Sequence, residues 1–346
     1  MDVARVVPQE LAGLGESCMR MGSPFFGTIL QRAAAAYETD PVLRDLLDRH
    51  ASRSRVGLRL GGAAHFRALR GAAPAIAAHY PSTGGDGDAD AAWHAVAGDI
   101  RAHLAEYDAL FERPVQTNEV ARAMPLLGAM LMLAHAAPLP LRIFEIGSSA
   151  GLLLNFDRYR YYGQGWSWGD SQSPVHLRNR TATGAPLHLD AAMNVIERQG
   201  CDLHPLDAAN ADDADTLLSF IWPDQHERFE RLRAAIGVAR EHTVHLVQGD
   251  GIEWARVAAQ PREGAATVVM HTVIAEHMTP DARASLREAI DELAAHASHR
   301  APFAWVRMEP GERGYDTRLT QWPNENETLI ATSDGHAQNL RWFDSP

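Results

Sequence analysis

A short glycine-containing segment, residues 144–153 (FEIGSSAGLL), holds the residues with the clearest chemical meaning. It follows an apolar run, and Gly147 and Gly151 suit a tight turn between a strand and a helix. At such a turn the main-chain amides are bare enough for a cofactor to lie against them. Glu145, two residues before the first glycine, would place an acceptor under the turn. The segment predicts a cofactor-binding turn formed by Glu145, Gly147, Ser148, Ser149, Ala150 and Gly151.

The same segment also has the pattern Gly-x-Ser-x-Gly, which is the nucleophile elbow of α/β-hydrolases. A hydrolase of this kind would use Ser149 as its nucleophile and would need an acid and then a histidine later in the chain. Asp250 or Asp281, followed by His336, supplies that order. In that fold, however, several strands precede the nucleophile, and one of their loops provides an oxyanion-hole amide. Everything before residue 141 has a helical pattern, so the hydrolase interpretation is the weaker alternative.

Polar side chains also end three of the later strands that the sequence predicts. They are Asp202 after NVIERQGC, Asp250 after VHLVQG, and His271 within VVMHT. Doubly wound sheets bind ligands at the carboxyl ends of their strands, which makes all three candidates for ligand contact. His271 could act as a general base or bind substrate. The competing explanations are a turn residue for Asp202, a helix cap for Asp250 and a satisfied buried side chain for His271.

The elements that would position these residues alternate after residue 140. We expect the first strand at 141–146 and a helix at 148–162. Further strands are expected at 194–201, 243–248, 266–272 and 303–308, and further helices at 224–240, 251–259 and 281–297. Thr279 is the predicted N-cap residue of the last helix, and Asp334 with Gly335 predicts a hairpin turn. The alternation predicts an α/β fold, with a Rossmann-like, mostly parallel sheet that ends in an antiparallel hairpin.

The region before this sheet has a different pattern. Residues 1–140 look helical throughout, and Asp40 followed by Pro41 is an explicit helix start. We therefore expect an all-helical N-terminal cap or lid region at 1–140 and a Rossmann-like domain at 141–346. Between residues 163 and 190 the alternation is interrupted by Trp166, Trp168 and Gly169, which indicate a small inserted hairpin or lid.

An acid and spaced glycines after a first strand resemble motif I of the class I S-adenosylmethionine-dependent methyltransferases, with Ser149 at the middle glycine position. The expected closing hairpin fits the same plan. The resemblance implies that S-adenosylmethionine is the cofactor and that its methionine moiety lies on the turn. It also implies that Asp202 contacts the ribose and that Asp250 and Gly251 contact the adenine. The Asn/Asp-Pro-Pro-Tyr motif of amino-methylating DNA enzymes is absent.

Over nearly its full length the chain also resembles a bacterial family named domain of unknown function 2332. The resemblance rests on GSPFF (22–26), ALRGAAP (68–74), HYPS (79–82), VQTNEVAR (115–122), EIGSSAGLLLNFDRYRY (145–161), GCDLHPLD (200–207) and FIWPDQ (220–225). The family's helix typically reads Gly-Leu-Asn, whereas here the asparagine comes later, at Asn155. The resemblance draws attention to VQTNEVAR as a segment that could fold over the cofactor. We expect Gln116, Asn118 and Arg122 to contact substrate and Glu119 to serve as a catalytic base.

Composition limits the partners that the protein is expected to have. Hydrophobic residues make up 46% and charged residues 22% of the chain, as is usual for globular proteins. A net charge of −12 disfavours nucleic acid, because affinity for phosphates depends on basic groups. Two cysteines fit a reducing compartment, and no apolar run spans a bilayer, so we expect a cytoplasmic protein without a membrane partner. The 17 histidines are scattered, and no metal site is expected.

The sequence as a whole predicts an S-adenosylmethionine-dependent methyltransferase that acts on a small molecule. Two alternatives stay open at this point. One is a serine hydrolase that uses Ser149, and the other is a non-catalytic nucleotide-binding protein of the same fold.

Overall fold

The structure, a computed structural model, describes residues 3–53, 55–178, 184–312 and 314–343. By their contacts the residues form two compact units. Unit 1 consists of Met1–Thr117 and Asn210–Arg233, and unit 2 of Asn118–Ala209 and Ala234–Pro346. The expected division at residue 140 follows the change in sequence pattern and stays a prediction, whereas these two units follow the packing.

The helices and strands are numbered in chain order. The helices are α1 (Val3–Arg20), α2 (Pro24–Ala36), α3 (Pro41–Arg49), α4 (Val56–Leu69), α5 (Pro74–Ala77), α6 (Ala89–Ala102), α7 (Leu104–Glu112), α8 (Ala123–Ala136), α9 (Ala211–Ser219), α10 (His226–Glu241), α11 (Gly251–Ala258) and α12 (Pro280–Ala294). The strands are β1 (Leu141–Ile146), β2 (Arg160–Gly163), β3 (Trp166–Trp168), β4 (His176–Arg178), β5 (Val195–Asp202), β6 (His245–Gln248), β7 (Ala266–Thr272), β8 (Phe303–Gly311), β9 (Gly314–Trp322), β10 (Asn326–Ser333) and β11 (Arg341–Trp342).

Unit 1 is built from helices throughout its described part. Asp40 caps α3 as predicted, because its Oδ1 accepts hydrogen bonds from the amides of Val42 and Leu43 at 3.0 and 3.2 Å. The helices enclose a core to which the later segment, Asn210–Arg233, also contributes. Trp222 of this segment stacks on Phe26 with the ring centroids 6.0 Å apart. The later segment is therefore part of the packing of unit 1.

Unit 2 is built on an eight-stranded sheet with the order β11-β10-β9-β8-β7-β1-β5-β6. The five strands β6, β5, β1, β7 and β8 are parallel, and β9, β10 and β11 follow as an antiparallel meander. Strands β1 and β7 are buried along their whole length, which explains their mostly apolar sequences. Within the described residues no strand precedes β1, so the predicted first strand and the mostly parallel sheet are confirmed.

The helix expected at residues 148–162 is wrong. The structure has a 3₁₀ helix at Leu152–Arg158, distorted at Asn155, and then strand β2. The hydroxyls of the buried Tyr159 and Tyr161 donate to the carbonyls of Leu152 and Phe156, groups that a continuing α-helix would have used. The alternation of buried tyrosines is the period of a strand, and it ends the helical segment early.

Strands β2, β3 and β4 form a separate small sheet, with β2 and β3 antiparallel and β2 and β4 parallel. The hairpin expected between 163 and 190 is thus present but begins earlier, at Arg160. Residues 179–183 of that expected insertion lie outside the described residues.

Strand β9 was not expected from the sequence, because buried threonines, Thr317 and Thr320, share its interior positions with Leu319. The predicted turn at Asp334 is confirmed: its Oδ1 accepts the amides of His336 and Gln338 at 2.9 and 2.8 Å. The hairpin strand that follows, β11, is only two residues long in the described part of the chain. None of the helices in the described residues is long and apolar enough to cross a membrane.

Candidate functional site

The candidate site lies in unit 2, where the carboxyl ends of β5, β1 and β7 are adjacent. Glu145 of β1 is in register with Gly200 of β5 on one side and with Met270 of β7 on the other. The turn after β1 is therefore flanked by Asp202, the last residue of β5, and by His271 near the end of β7. The structure brings together three of the residue groups that the sequence predicted at strand ends.

The turn itself has the backbone conformation expected of a glycine motif. Gly147, Ser149 and Gly151 have φ angles of +71°, +51° and +67°. Ser149 thus adopts a left-handed conformation that favours glycine, at the middle glycine position of the motif. Asp202 fixes this conformation, because one carboxylate oxygen accepts the Ser149 amide at 2.8 Å and the other accepts the His204 amide at 2.9 Å.

Close packing also explains the two glycines. A Cβ atom at Gly147 would lie 2.7 Å from Cγ2 of Ile274, and one at Gly151 would lie 2.6 Å from Cγ2 of Val244. Both distances are shorter than a carbon–carbon contact allows. Glycine is therefore required here by backbone conformation and by packing, and the indication of a ligand must come from other groups.

Unpartnered polar atoms near the turn supply that indication. Glu145 is 2% exposed, and its Oε2 has no hydrogen-bond partner among the described residues. The hydroxyls of Ser148 and Ser149 are likewise buried without a partner in the described chain. Buried polar groups in native proteins are nearly always hydrogen-bonded, so three such groups at one turn point to an additional binding partner.

The ionisation of Glu145 is unusual. Burial, the strongest effect, raises the pKa of this carboxyl well above its ordinary value. The negative charge of Asp202 raises the pKa further, and the positive charge of Arg122 opposes the shift. Burial and the unpartnered Oε2 therefore favour the protonated form of Glu145 in the folded protein.

His271 is held by an acid that the sequence analysis did not identify, Glu309 at the end of β8. His271 is 1% exposed, and its Nδ1 lies 2.6 Å from Oε1 of Glu309. The same carboxylate accepts the amides of Ile274 and Ala275 at 3.0 and 3.1 Å. Burial alone would raise the pKa of Glu309, but the bonds from His271 and these two amides outweigh it and lower the pKa. The sequence feature that could have identified Glu309 was its position at the end of a predicted strand.

The segment after β7 is strained. Val273 has a φ of +57°, an outlier for a β-branched residue, and its amide donates to the Met308 carbonyl at 2.8 Å. Strained backbone of this kind persists where surrounding contacts enforce it, and it is common at functional sites. Here the enforcing contacts are the two amides bound by Glu309. The segment that packs on Gly147 is therefore fixed from β8.

The predicted adenine contact, Asp250, has a structural role. Its Oδ1 caps α11 by accepting the amides of Ile252 and Glu253 at 2.8 and 3.2 Å, so the capping explanation is confirmed. Gly251, the first residue of α11, packs against the last residue of β1, because a Cβ at Gly251 would be 2.6 Å from Cγ2 of Ile146.

The residues of VQTNEVAR are divided between the two units. Gln116 belongs to unit 1, whereas Asn118, Glu119 and Arg122 belong to unit 2, and all four are buried. Glu119 caps the 3₁₀ turn Val120–Arg122 through its Oε1, which accepts the Ala121 amide at 3.0 Å. Arg122 donates to the Gly335 carbonyl at 3.1 Å, and its charge acts on Glu145. Of these residues, Arg122 thus has an electrostatic connection to the turn.

The hydrolase arrangement is not formed. Ser149 Oγ makes no hydrogen bond within the described residues, and therefore no histidine there activates it. Asp281 lies in the first turn of α12, and Asp250 caps α11. The described residues also contain no group of three or more histidine, cysteine, aspartate or glutamate side chains suited to a metal ion.

Comparison with known proteins identifies the family. A solved structure described as the DhpI–SAH complex is similar over 68% of this chain and 78% of its own, with 14% sequence identity and a TM-score of 0.24. At that TM-score the similarity supports no conclusion. No curated protein matches the chain. The profile of the family described as "Uncharacterized protein conserved in bacteria (DUF2332)" matches residues 9–342. Because this match covers nearly the whole chain, the protein belongs to that bacterial family.

Proposed function

We propose that the protein is an S-adenosylmethionine-dependent methyltransferase that acts on a small molecule. The observation that carries the proposal is the buried, unpartnered Oε2 of Glu145 below a left-handed turn at the end of the first parallel strand. A glycine turn alone would be explained by packing. The combination of that turn with unsatisfied polar atoms favours a bound ligand.

The groups at the turn fit the chemistry of this ligand. The methionine part of S-adenosylmethionine carries an ammonium group, for which Glu145 Oε2 is a free acceptor, and a carboxylate, for which Ser149 Oγ is a free donor. Each oxygen of Asp202 already accepts one amide and can accept a second hydrogen bond, as the hydroxyls of a ribose would require. A cationic ligand also suits a site with several acids.

When bound, S-adenosylmethionine supplies an electrophilic methyl group. The protein's contribution is to hold the acceptor in line with that group, which replaces a bimolecular encounter by a positioned one. Asp202 keeps the turn in its left-handed conformation, and Glu309 keeps the Ile274 segment against Gly147. Both contacts fix main chain, so they position the ligand before any reaction.

Isothermal titration calorimetry with S-adenosylhomocysteine tests the proposal, because this product binds without reacting. We expect binding by the wild type and affinity at least about tenfold weaker in Glu145→Gln, because the ligand's ammonium group would hold Glu145 in its ionised form and a hydrogen bond to a charged group contributes about 1.5–3 kcal/mol.

The matched control is Glu253→Gln, at an exposed glutamate on α11 that forms an ion pair with Arg256 at 3.5 Å. Its affinity should equal that of the wild type. If the folded wild type binds neither S-adenosylmethionine nor S-adenosylhomocysteine at ligand concentrations of about 1 mM, the proposal is wrong.

A further inference from the structure

The imidazole of His271 has one engaged and one unengaged nitrogen. Nδ1 lies 2.6 Å from Glu309 Oε1, whereas Nε2 is buried and bonds to nothing in the described part of the chain. The ring also lies against Trp305, with the ring centroids 5.7 Å apart. A rigid ring with one free nitrogen can exchange a proton at a defined position.

Glu309 determines which nitrogen carries the proton. Its carboxylate accepts two main-chain amides in addition to the His271 contact, and an ionised carboxylate can only accept. The hydrogen of a neutral His271 must therefore lie on Nδ1, which leaves the lone pair on Nε2. This is the arrangement of a general base that is oriented by an acid.

The methyl acceptors differ in their need for such a base. Carboxylates and thiolates attack as anions, and an amine attacks as its free base and carries its extra proton away. A neutral alcohol or phenol must lose its proton as the new bond forms. We infer that His271 is the catalytic base for a hydroxyl acceptor, with Glu309 as its positioning residue, so that the reaction is O-methylation of a small alcohol or phenol. The inference rests on the proposed function.

The step balances without a further reactant. A lone pair of the hydroxyl oxygen forms the bond to the methyl carbon, and the methyl–sulfur bond breaks with its electron pair returning to sulfur. The hydroxyl proton passes to Nε2 of His271. The products are the methyl ether, S-adenosylhomocysteine and the imidazolium of His271 beside the Glu309 carboxylate. The imidazolium later releases its proton to water.

The first test measures transfer of a radiolabelled methyl group from S-adenosylmethionine to four panels of small molecules: alcohols and phenols, amines, thiols and carboxylic acids. We expect transfer to members of the first panel. His271→Asn keeps a donor at the position of Nδ1 but has no atom at Nε2. It should lower that transfer about 10²–10⁴-fold while the affinity for S-adenosylhomocysteine stays within about threefold.

The outcomes separate the two proposals. A folded protein that binds no S-adenosylmethionine contradicts the proposed function itself. A protein that binds it but methylates no hydroxyl compound, or methylates only another panel, overturns the inference and leaves the methyltransferase proposal intact. Unchanged transfer by His271→Asn also overturns it.

The second test does not depend on finding the acceptor. Nitrogen NMR of protein labelled in its histidines, recorded at a pH at which the ring of His271 is neutral and with its signals identified by their loss in His271→Asn, should show hydrogen on Nδ1 and none on Nε2. Glu309→Gln should change this pattern, and Glu312→Gln, at an exposed position just beyond it, should not. A hydrogen on Nε2 in the wild type would overturn the inference.

Discussion

His65 in unit 1 and His271 in unit 2 are both almost completely buried, yet their ring nitrogens are treated differently. His65 Nδ1 donates to the Ser219 carbonyl at 3.1 Å, and its Nε2 accepts the Ser82 hydroxyl at 2.7 Å. His271 has a partner on Nδ1 alone among the described residues. A buried histidine with both nitrogens bonded stabilises the fold, whereas one with a free nitrogen retains a group available for chemistry.

The largest expected difference concerns the free energy of unfolding. His65→Ala should lower it by about 4 kcal/mol, because it creates a cavity and removes two hydrogen bonds. His271→Ala should lower it by about 2 kcal/mol, because Glu309 keeps its two amide donors and an unpartnered atom is removed. Urea denaturation of both variants, with exposed His94→Ala as the control, measures this. Equal losses would contradict the comparison.

The pH dependence of the free energy of unfolding should sharpen the comparison between the two histidines. Burial, opposed by the carbonyls of Ser219 and Ile221, lowers the pKa of His65 to about 4 from 6.5. The unfolded chain therefore binds this proton more readily, and stability falls as the pH decreases from about 6.5 to about 4, by about 3 kcal/mol. We expect this decrease, measured by urea denaturation, to be absent in His65→Ala. If wild type and variant have parallel pH profiles, His65 does not titrate as its contacts imply.

Glu145 should make the free energy of unfolding depend on pH in the opposite direction, with stability decreasing as the pH rises. Because burial raises its folded pKa well above 4.5, unfolding at higher pH releases its proton and is favoured. Without ligand, the wild type should lose stability relative to Glu145→Gln between pH 5 and pH 6, by at most about 1.4 kcal/mol. Denaturation of the two proteins at both pH values measures the difference. A constant difference would mean that Glu145 is ionised in the folded protein.

Local signals made much of the fold predictable. Asp40, Thr279 and Asp334 each accept hydrogen bonds from amides two to four residues away. These caps and turns can therefore be predicted from a few consecutive residues. The buried strands β1 and β7 are mostly apolar and were predicted for that reason. What these features share is that their signals lie in consecutive residues, even though the pairing partners of β1 and β7 are distant in sequence.

The missed features depend on distant contacts. The shortened helix after the turn depends in part on Asn155, whose amide donates to the His242 carbonyl at 3.1 Å, 87 residues away. Asp202 and His271 lie at strand ends as predicted, and their roles in ligand binding stay predictions, whereas Glu309 lies 38 residues after its histidine partner. No spacing rule in the sequence connects such pairs, because the sheet order brings them together.

The return of Asn210–Arg233 to unit 1 has a consequence for biosynthesis. Trp222 belongs to the core of unit 1, and Phe220 lies so close to Gly62 that a Cβ there would be 2.8 Å from its ring. The first 117 residues therefore leave the ribosome without the side chains that complete their interior. We therefore expect unit 1 to complete its core only after translation has passed residue 233, when β1 and β5 have already been synthesised.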